Sequence, residues 1–286
     1  MKVLTDCAAD MSAEELAELG IEEAPLYIQF PEGEVQASDI PADMFYDRLE
    51  AMRPAIPTTA MPSSGLFAEI YRRMARLDRH IFSVHISSGL SGTIQAARSG
   101  AEAARPEAQV DFWDTLTLSG GERFQVLAAA LAARAGWTMH AIQDRLTKIR
   151  EATEVIYTLD TLEYLRRGGR IGRVQAMAGA LLHLKPVIRV DADGKYSTVT
   201  KARTIGQGLS AISEHLQRAY ANAPVWVTVL HGRFADQAEA LADALREKLN
   251  VGKLEVRRIS PVLGVHTGPK VVGAAVLPLD VVQDLM

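Results

Sequence analysis

The stretch Arg79–Pro106, RHIFSVHISSGLSGTIQAARSGAEAARP, decides the fold. His80 to Ile86 is rich in β-branched and aromatic residues and reads as a strand. Ser87 to Gly92 is a polar, glycine-punctuated turn, and the alanine-rich remainder reads as a helix. A strand that passes through a short loop into a helix is the repeating unit of an open α/β sheet, whose ligands bind along the carboxyl edge of the strands. The first N–H groups of such a helix lack intrahelical partners and favour an anion. Ser87, Ser88, Ser91 and Thr93 add hydroxyls around them, which suits the loop to a small acceptor-rich head group. Ser91 also reads as an ordinary cap of the helix that Gly92 begins.

The same alternation extends on both sides. Lys2 to Thr5 reads as a strand ending at Asp6, and Met11 to Leu19 as a helix closed by Gly20. Ala24 to Phe30 is a second extended run, Ala42 to Met52 a helix, and the proline-rich Pro54 to Ser64 an extended segment leading to a helix capped by Ser63 or Ser64. Gln109 to Trp113, Gly121 to Ala135 and Met139 to Glu151 continue as strand, helix and helix. Asp6, Thr59, Ser91 and Thr115 each follow an extended run and precede a helix, so a parallel sheet is expected to bring them to one rim.

From Val155 the pattern changes. Val155 to Leu159 is extended, Thr161 to Arg167 is a short helix stopped by Gly168 and Gly169, and Ile171 to Leu184 is expected to be helical. Val187 to Asp191 and Lys195 to Lys201 flank a turn as a hairpin. Helices from Thr204 to Tyr220 and from Phe234 to Leu249 alternate with strands at Val225 to Leu230, Leu254 to Ile259 and Val271 to Leu277. A hairpin is not a parallel crossover, so the second half is expected to hold a mixed sheet. The fold class is therefore two-domain α/β, with a parallel-sheet α/β/α domain over 1–155, a mixed-sheet α/β domain over 156–286, and a ligand in the cleft between them.

Composition narrows the function. The 286 residues are 48% hydrophobic and 23% charged, as in ordinary globular proteins. No run approaches the roughly 18 apolar residues of a membrane span, and the N-terminus has no signal-peptide pattern, so a cytoplasmic protein without stable membrane insertion is expected. The single cysteine, Cys7, excludes an internal disulfide and a cysteine-based zinc site. A net charge of −4 argues against a general nucleic-acid surface. The histidines form no HExxH and no i, i+4 pair, there is no GxxxxGK[ST], and Gly168 to Gly172 joins two helices where a dinucleotide fingerprint follows a strand. Neither a metal nor a nucleotide cofactor is expected.

Two clusters remain. Arg166, Arg167, Arg170 and Arg173 read as a solvated face or as a docking surface for an acidic partner protein. Ser91 and His266 suggest a stand-alone serine esterase or thioesterase, although Gly89-Leu-Ser91-Gly92-Thr93 lacks the second glycine of GxSxG. Met177 to Leu182 and Gly273 to Leu277 are small apolar segments suited to line a tunnel.

Thr161-Leu-Glu-Tyr-Leu-Arg-Arg-Gly-Gly-Arg-Ile171, the loop Ser87 to Thr93, Leu184-Lys-Pro-Val-Ile188 and Gly264-Val-His266-Thr267-Gly268-Pro269 together resemble the DegV family, over nearly the whole chain. That family is similar to the fatty-acid-binding subunit of bacterial fatty acid kinase. The resemblance implies a long-chain fatty acid held between two α/β domains, with no cofactor beyond this ligand, and presented to a separate ATP-dependent kinase subunit for acyl phosphate formation. It implies a carboxylate bound by Thr59 and Ser91, with Gly92 and Thr93 at the helix start, and Arg203 and His266 near the head group or a partner. This chain departs from the family's DSTAD at Asp6-Cys7-Ala8-Ala9-Asp10, and from its KxRGR at Lys201-Ala202-Arg203-Thr204-Ile205.

Overall fold

The first apolar run forms β1 (Lys2–Asp6), and Ser12 then starts α1 (Ala13–Leu19) with a reciprocal capping box to Glu15. Gly20, in the left-handed region, closes that helix. The computed structural model describes residues 1–177 and 184–285. After α1 come β2 (Ile21–Ala24), β3 (Tyr27–Phe30), β4 (Gly33–Gln36), α2 (Ala42–Ala51), β5 (Thr58–Ala60), α3 (Ser64–Ala75), β6 (His80–His85), α4 (Thr93–Ala103), β7 (Gln109–Asp114), α5 (Ser119–Arg134) and α6 (Met139–Ala152). The second half holds β8 (Glu154–Leu159), α7 (Glu163–Arg167), a 3₁₀ turn (Gly172–Met177), β9 (Lys185–Val190), β10 (Tyr196–Ala202), α8 (Ile205–Tyr220), β11 (Val225–His231), α9 (Ala235–Lys248), β12 (Val251–Arg258), α10 (Pro261–Thr267) and β13 (Val271–Pro278).

The strands form a parallel sheet in the order β2-β1-β6-β7, a mixed sheet β10-β9-β8-β13-β11-β12 and a small antiparallel sheet β4-β3-β5. Among the described residues of the mixed sheet only β11 and β12 run parallel; the hairpin β9–β10 and the remaining pairs are antiparallel. The expected parallel and mixed sheets are both present.

Five layers result. Phe67, Tyr71, Ala97 and Ala101 of α3 and α4 pack on one face of the parallel sheet, against Leu4 and Ile81. Leu209, Ile212, Leu216, Leu241 and Leu245 of α8 and α9 cover the outer face of the mixed sheet. Between the two sheets lies α5, and the core there is continuous from Val3 and Phe82 through Phe124 and Ala128 to Tyr157 and Ala275. A helix covered on both sides is buried nearly all round: thirteen of the sixteen residues of α5 are buried, and these include Glu122, Arg123 and Gln125 as well as its apolar and small residues. Its first turn approaches β13 so closely that a Cβ at Gly120 would come within 2.7 Å of the Ala275 Cβ. Strand β11 alternates in the same way: Val225, Val227 and Val229 face α8 and α9, while Trp226 and Leu230 face the central layer.

Several local expectations change. Ala24 to Phe30 is two strands in different sheets, because Pro25 has no N–H to continue the parallel ladder. Thr59 does not stand on the rim of the parallel sheet beside Asp6 and Ser91, since β5 pairs with β3 in the small sheet, with Thr59 opposite Ile28. The helix expected over Ile171 to Leu184 is a 3₁₀ turn over its described part, entered through Gly169 (φ 73°) and Gly172 (φ 46°), both left-handed. The rest of it, and most of the tunnel segment Met177 to Leu182, lies outside the described residues. Gly273 to Leu277 is a buried central strand and lines no cavity among those described. Helix α10 has little sequence signal beyond Pro261 at its first position, because Gly264 interrupts a run of only seven residues. A division at 155 and 156 falls within β8.

Candidate functional site

Beyond β6 the chain turns tightly: the N–H groups of Leu90 and Ser91 both donate to the Ser87 carbonyl at 3.0 Å. The four hydroxyls of this loop then separate in role. Ser87 Oγ donates to the Gly194 carbonyl in the β9–β10 turn at 2.7 Å, tying the two halves of the chain together. Ser88 is exposed, and Thr93 is buried with its Oγ1 2.8 Å from Ser91 Oγ. Only Ser91 of the four lines a cavity. It is not the cap of α4. Gly92 occupies that position with no side-chain cap, and Ser91 Oγ instead accepts the Thr93 N–H at 3.3 Å.

Thr59 and His266 meet at the same cavity, although 207 positions separate them. The Thr59 Oγ1 lies 2.8 Å from His266 Nε2, and both side chains are partly buried. Burial, with the Arg170 guanidinium nearby, lowers the His266 imidazole to about 4, so it is neutral near pH 7. Its Nδ1 is buried without a partner, in contact with Gly168, where a Cβ would fall 2.1 Å away. An orphaned buried N–H is rarer than an orphaned lone pair, so the hydrogen-bond network assigns the proton to Nε2. Nε2–H then donates to Thr59 Oγ1, which leaves the threonine proton free to donate elsewhere.

The arginine cluster divides as well. Arg173 pairs with Asp191 at 2.9 Å and also with Asp193, and Arg167 pairs with Glu163 at 2.5 Å, so neither offers a free cation. Arg166 is exposed. Arg170 turns inward. Its Nη1 donates to the Gly168 carbonyl at 2.7 Å, its Nε to the Leu90 carbonyl at 3.3 Å, and its side chain lines the cavity. Its spacing within the cluster carried no sign of this. Arg203 lies apart from the cavity lining, exposed in the turn between β10 and α8, where its N–H donates to Gln207 Oε1.

The cavity measures about 350 Å³. Its walls come from the carboxyl ends of the parallel strands (Ala8, Ile86, Leu118), from the small sheet (Leu26, Thr59, Ala60) and from the second half of the chain (Arg170, Tyr196, Val262, Leu263, His266). It therefore occupies the junction between the halves. Met61 and Gly92 at one end are exposed, whereas Leu26, Ile86, Leu118, Val262 and Leu263 are buried. The hydroxyls of Thr59 and Ser91 share this lining with the exposed pair. The result is a recess, polar toward solvent and apolar within. Among the described residues no helix is long and apolar enough to cross a membrane.

Nucleophilic catalysis needs a base on the nucleophile and an orienting group on the base. Ser91 has neither, because its hydroxyl is engaged with Thr93, while His266 Nε2 is engaged with Thr59 and its Nδ1 is unpartnered. The serine esterase reading is not met by this geometry.

The family model described as "Uncharacterised protein, DegV family" matches residues 1–279. The chain belongs to the DegV family. A DegV domain-containing protein of Clostridium perfringens is 36% identical to it over 279 residues, covering 96% of this chain and 97% of that protein. Among solved structures, a fatty-acid-binding DegV family protein from Thermus thermophilus is 29% identical with a TM-score of 0.90, covering 97% of this chain and 99% of the other. DegV from Bacillus subtilis, a fatty acid binding protein, is 25% identical with a TM-score of 0.84, over 97% and 98% of the two chains. The resemblance drawn from the motifs is thus borne out for the family and the fold.

Proposed function

We propose that this DegV family member binds a long-chain fatty acid, with the carboxylate on Thr59 and Ser91 and the tail in the apolar recess, and presents the acid to a separate ATP-dependent kinase subunit. The observation that carries the reading is that both hydroxyls line one recess whose inner wall is aliphatic. Burying a carboxylate is costly unless it is hydrogen-bonded. The Thr59 hydroxyl, freed by its bond from His266, and the Ser91 hydroxyl supply charge-assisted donors, the Gly92 and Thr93 amides lie at the start of α4, and Arg170 supplies the compensating charge.

The tail contributes most of the affinity. At about 0.8 kcal/mol per methylene, roughly 15 methylenes would contribute about 12 kcal/mol before the losses of ordering and association. A cavity of about 350 Å³ lies within the roughly 300–1,000 Å³ range of small-ligand sites. The exposed Met61 and Gly92 set the acid's head toward solvent, which is what transfer of a phosphoryl group from another subunit requires.

Protein purified from a bacterial host is expected to release fatty acid on organic extraction, detected by mass spectrometry. Its absence, together with no binding of added palmitate by the stripped protein, overturns the reading. Acyl phosphate formed from palmitate and ATP only when the protein and a kinase subunit are both present tests the second half.

A further inference from the structure

Met61 differs from the other residues around the cavity. It is a large apolar side chain that is 49% exposed, yet it lines the recess. It rests on Gly92 so closely that a Cβ there would come within 2.9 Å of its Sδ and 3.2 Å of its Cε. Pro62 follows it and holds its backbone extended, which keeps the side chain over the start of α4. A thioether is a weak acceptor on an apolar body, so Met61 covers the polar end of the recess without competing for the donors below it. Oxidation of that sulfur produces a polar side chain instead.

We propose that Met61 is a methionine oxidation site that regulates the cavity: reaction with a peroxide converts its thioether to the sulfoxide and weakens fatty acid binding. The inference rests on the fatty acid reading given above. In the reaction a lone pair of Sδ attacks one oxygen of hydrogen peroxide. The S–O bond forms as the O–O bond breaks, sulfur is oxidised by two electrons, and the remaining oxygen leaves as water after taking up the proton of the transferred oxygen. The new oxygen is a strong acceptor on the side chain that rests on Gly92, at the start of α4 whose donors the proposed carboxylate needs. It both occupies those donors and repels the anion.

Met44 supplies an internal comparison. It is more exposed, at 62%, but sits on α2 and does not line the cavity. The experiment measures palmitate binding by isothermal titration calorimetry before and after hydrogen peroxide, with peptide mass spectrometry locating the added oxygen. Oxidised wild-type protein and oxidised Met44→Leu are expected to lose about tenfold in affinity, the equivalent of one hydrogen bond to a charged group. Met61→Leu, whatever its starting affinity, is expected to give the same value before and after treatment. Methionine sulfoxide reductase is expected to restore the wild-type affinity. Equal loss in Met61→Leu, unchanged binding by wild-type protein oxidised at Met61, failure of peroxide to oxidise Met61, or failure of the reductase to restore binding overturns the proposal. If the untreated protein does not bind palmitate, the reading of the cavity fails, and this inference with it.

Discussion

Two histidines, His85 and His266, each rest against a hydroxyl, and they differ in everything around it. His85 Nδ1 is 2.9 Å from Asp6 Oδ2 and its Nε2 is 2.7 Å from Ser83 Oγ, which in turn is 2.8 Å from Tyr71 Oη. Asp6 also accepts the N–H groups of Ala8 and Ile86, both at 3.1 Å. All four side chains of this chain have no solvent exposure. The succession Asp6, His85, Ser83 has the composition of a hydrolase triad, but no substrate can reach it. His266 has one partner, an unsatisfied second nitrogen and a position on a cavity wall. A fully satisfied buried network fixes a fold, whereas an incompletely satisfied one beside a recess keeps a donor free for a ligand. The composition of a triad is therefore no guide to which histidine serves a site.

That contrast is open to direct tests. The largest effect is expected from Asp6→Ala, which leaves the Ala8 and Ile86 amides and His85 without their acceptor. Urea unfolding is expected to show a loss of about 3–5 kcal/mol, because one member of a buried pair has been removed. A loss below about 1 kcal/mol, the scale of a single ordinary hydrogen bond, would show that the buried chain is not the structural element described.

Next in size is the Thr59→Ala, Ser91→Ala double variant. Here the expected loss is about 2–4 kcal/mol in palmitate affinity by calorimetry, if each hydroxyl bonds a charge. Its unfolding midpoint is expected to stay close to wild type, since neither side chain is deeply buried. Unchanged affinity in the folded variant removes these hydroxyls from the site, and a large stability loss would place Thr59 and His266 in the same category as His85.

The smallest effect concerns two carboxyls of the first half, Glu23 and Asp10, that lie away from the cavity lining. Burial, reinforced by Asp6 and Asp10, pushes Glu23 up to about 7. A carboxyl raised on folding binds a proton more tightly in the native state, so its contribution is complete below its unfolded value near 4.5 and is lost as the pH rises through about 7. The stability of wild type relative to Glu23→Gln is therefore expected to fall by about 1–3 kcal/mol between pH 4.5 and 7.5, read from paired urea titrations. A flat difference, or one that rises with pH, contradicts the assignment. Asp10, raised to about 6 by burial against the hydrogen bonds of Ser119 and Ser260, predicts a trend of the same sign.

Much of the site was legible because each half of it is local. The loop from Ser87 to Gly92 announces a strand end and a helix start through short-range chemistry, and His266 lies in a motif that carries the family resemblance. The inward turn of Arg170 was not legible, because in sequence it is one of four similar arginines. Only the carbonyls of Gly168 and Leu90, contributed by separate segments, select it. The role of Ser87 was hidden for the same reason, since its acceptor is in a hairpin turn 107 residues away.

By itself the sequence determined the order and type of most elements, the parallel and mixed character of the two halves, and the presence of hydroxyls at a helix start. Those properties follow from hydrophobic period, turn residues and capping, each of which acts over a few positions. The tertiary structure alone decided which of the four arginines joins the recess, that Ser87 ties the two halves together, and that α5 is shared by two sheets. These depend on contacts between segments far apart in the chain, where packing geometry and competition for hydrogen-bond partners outweigh local preference.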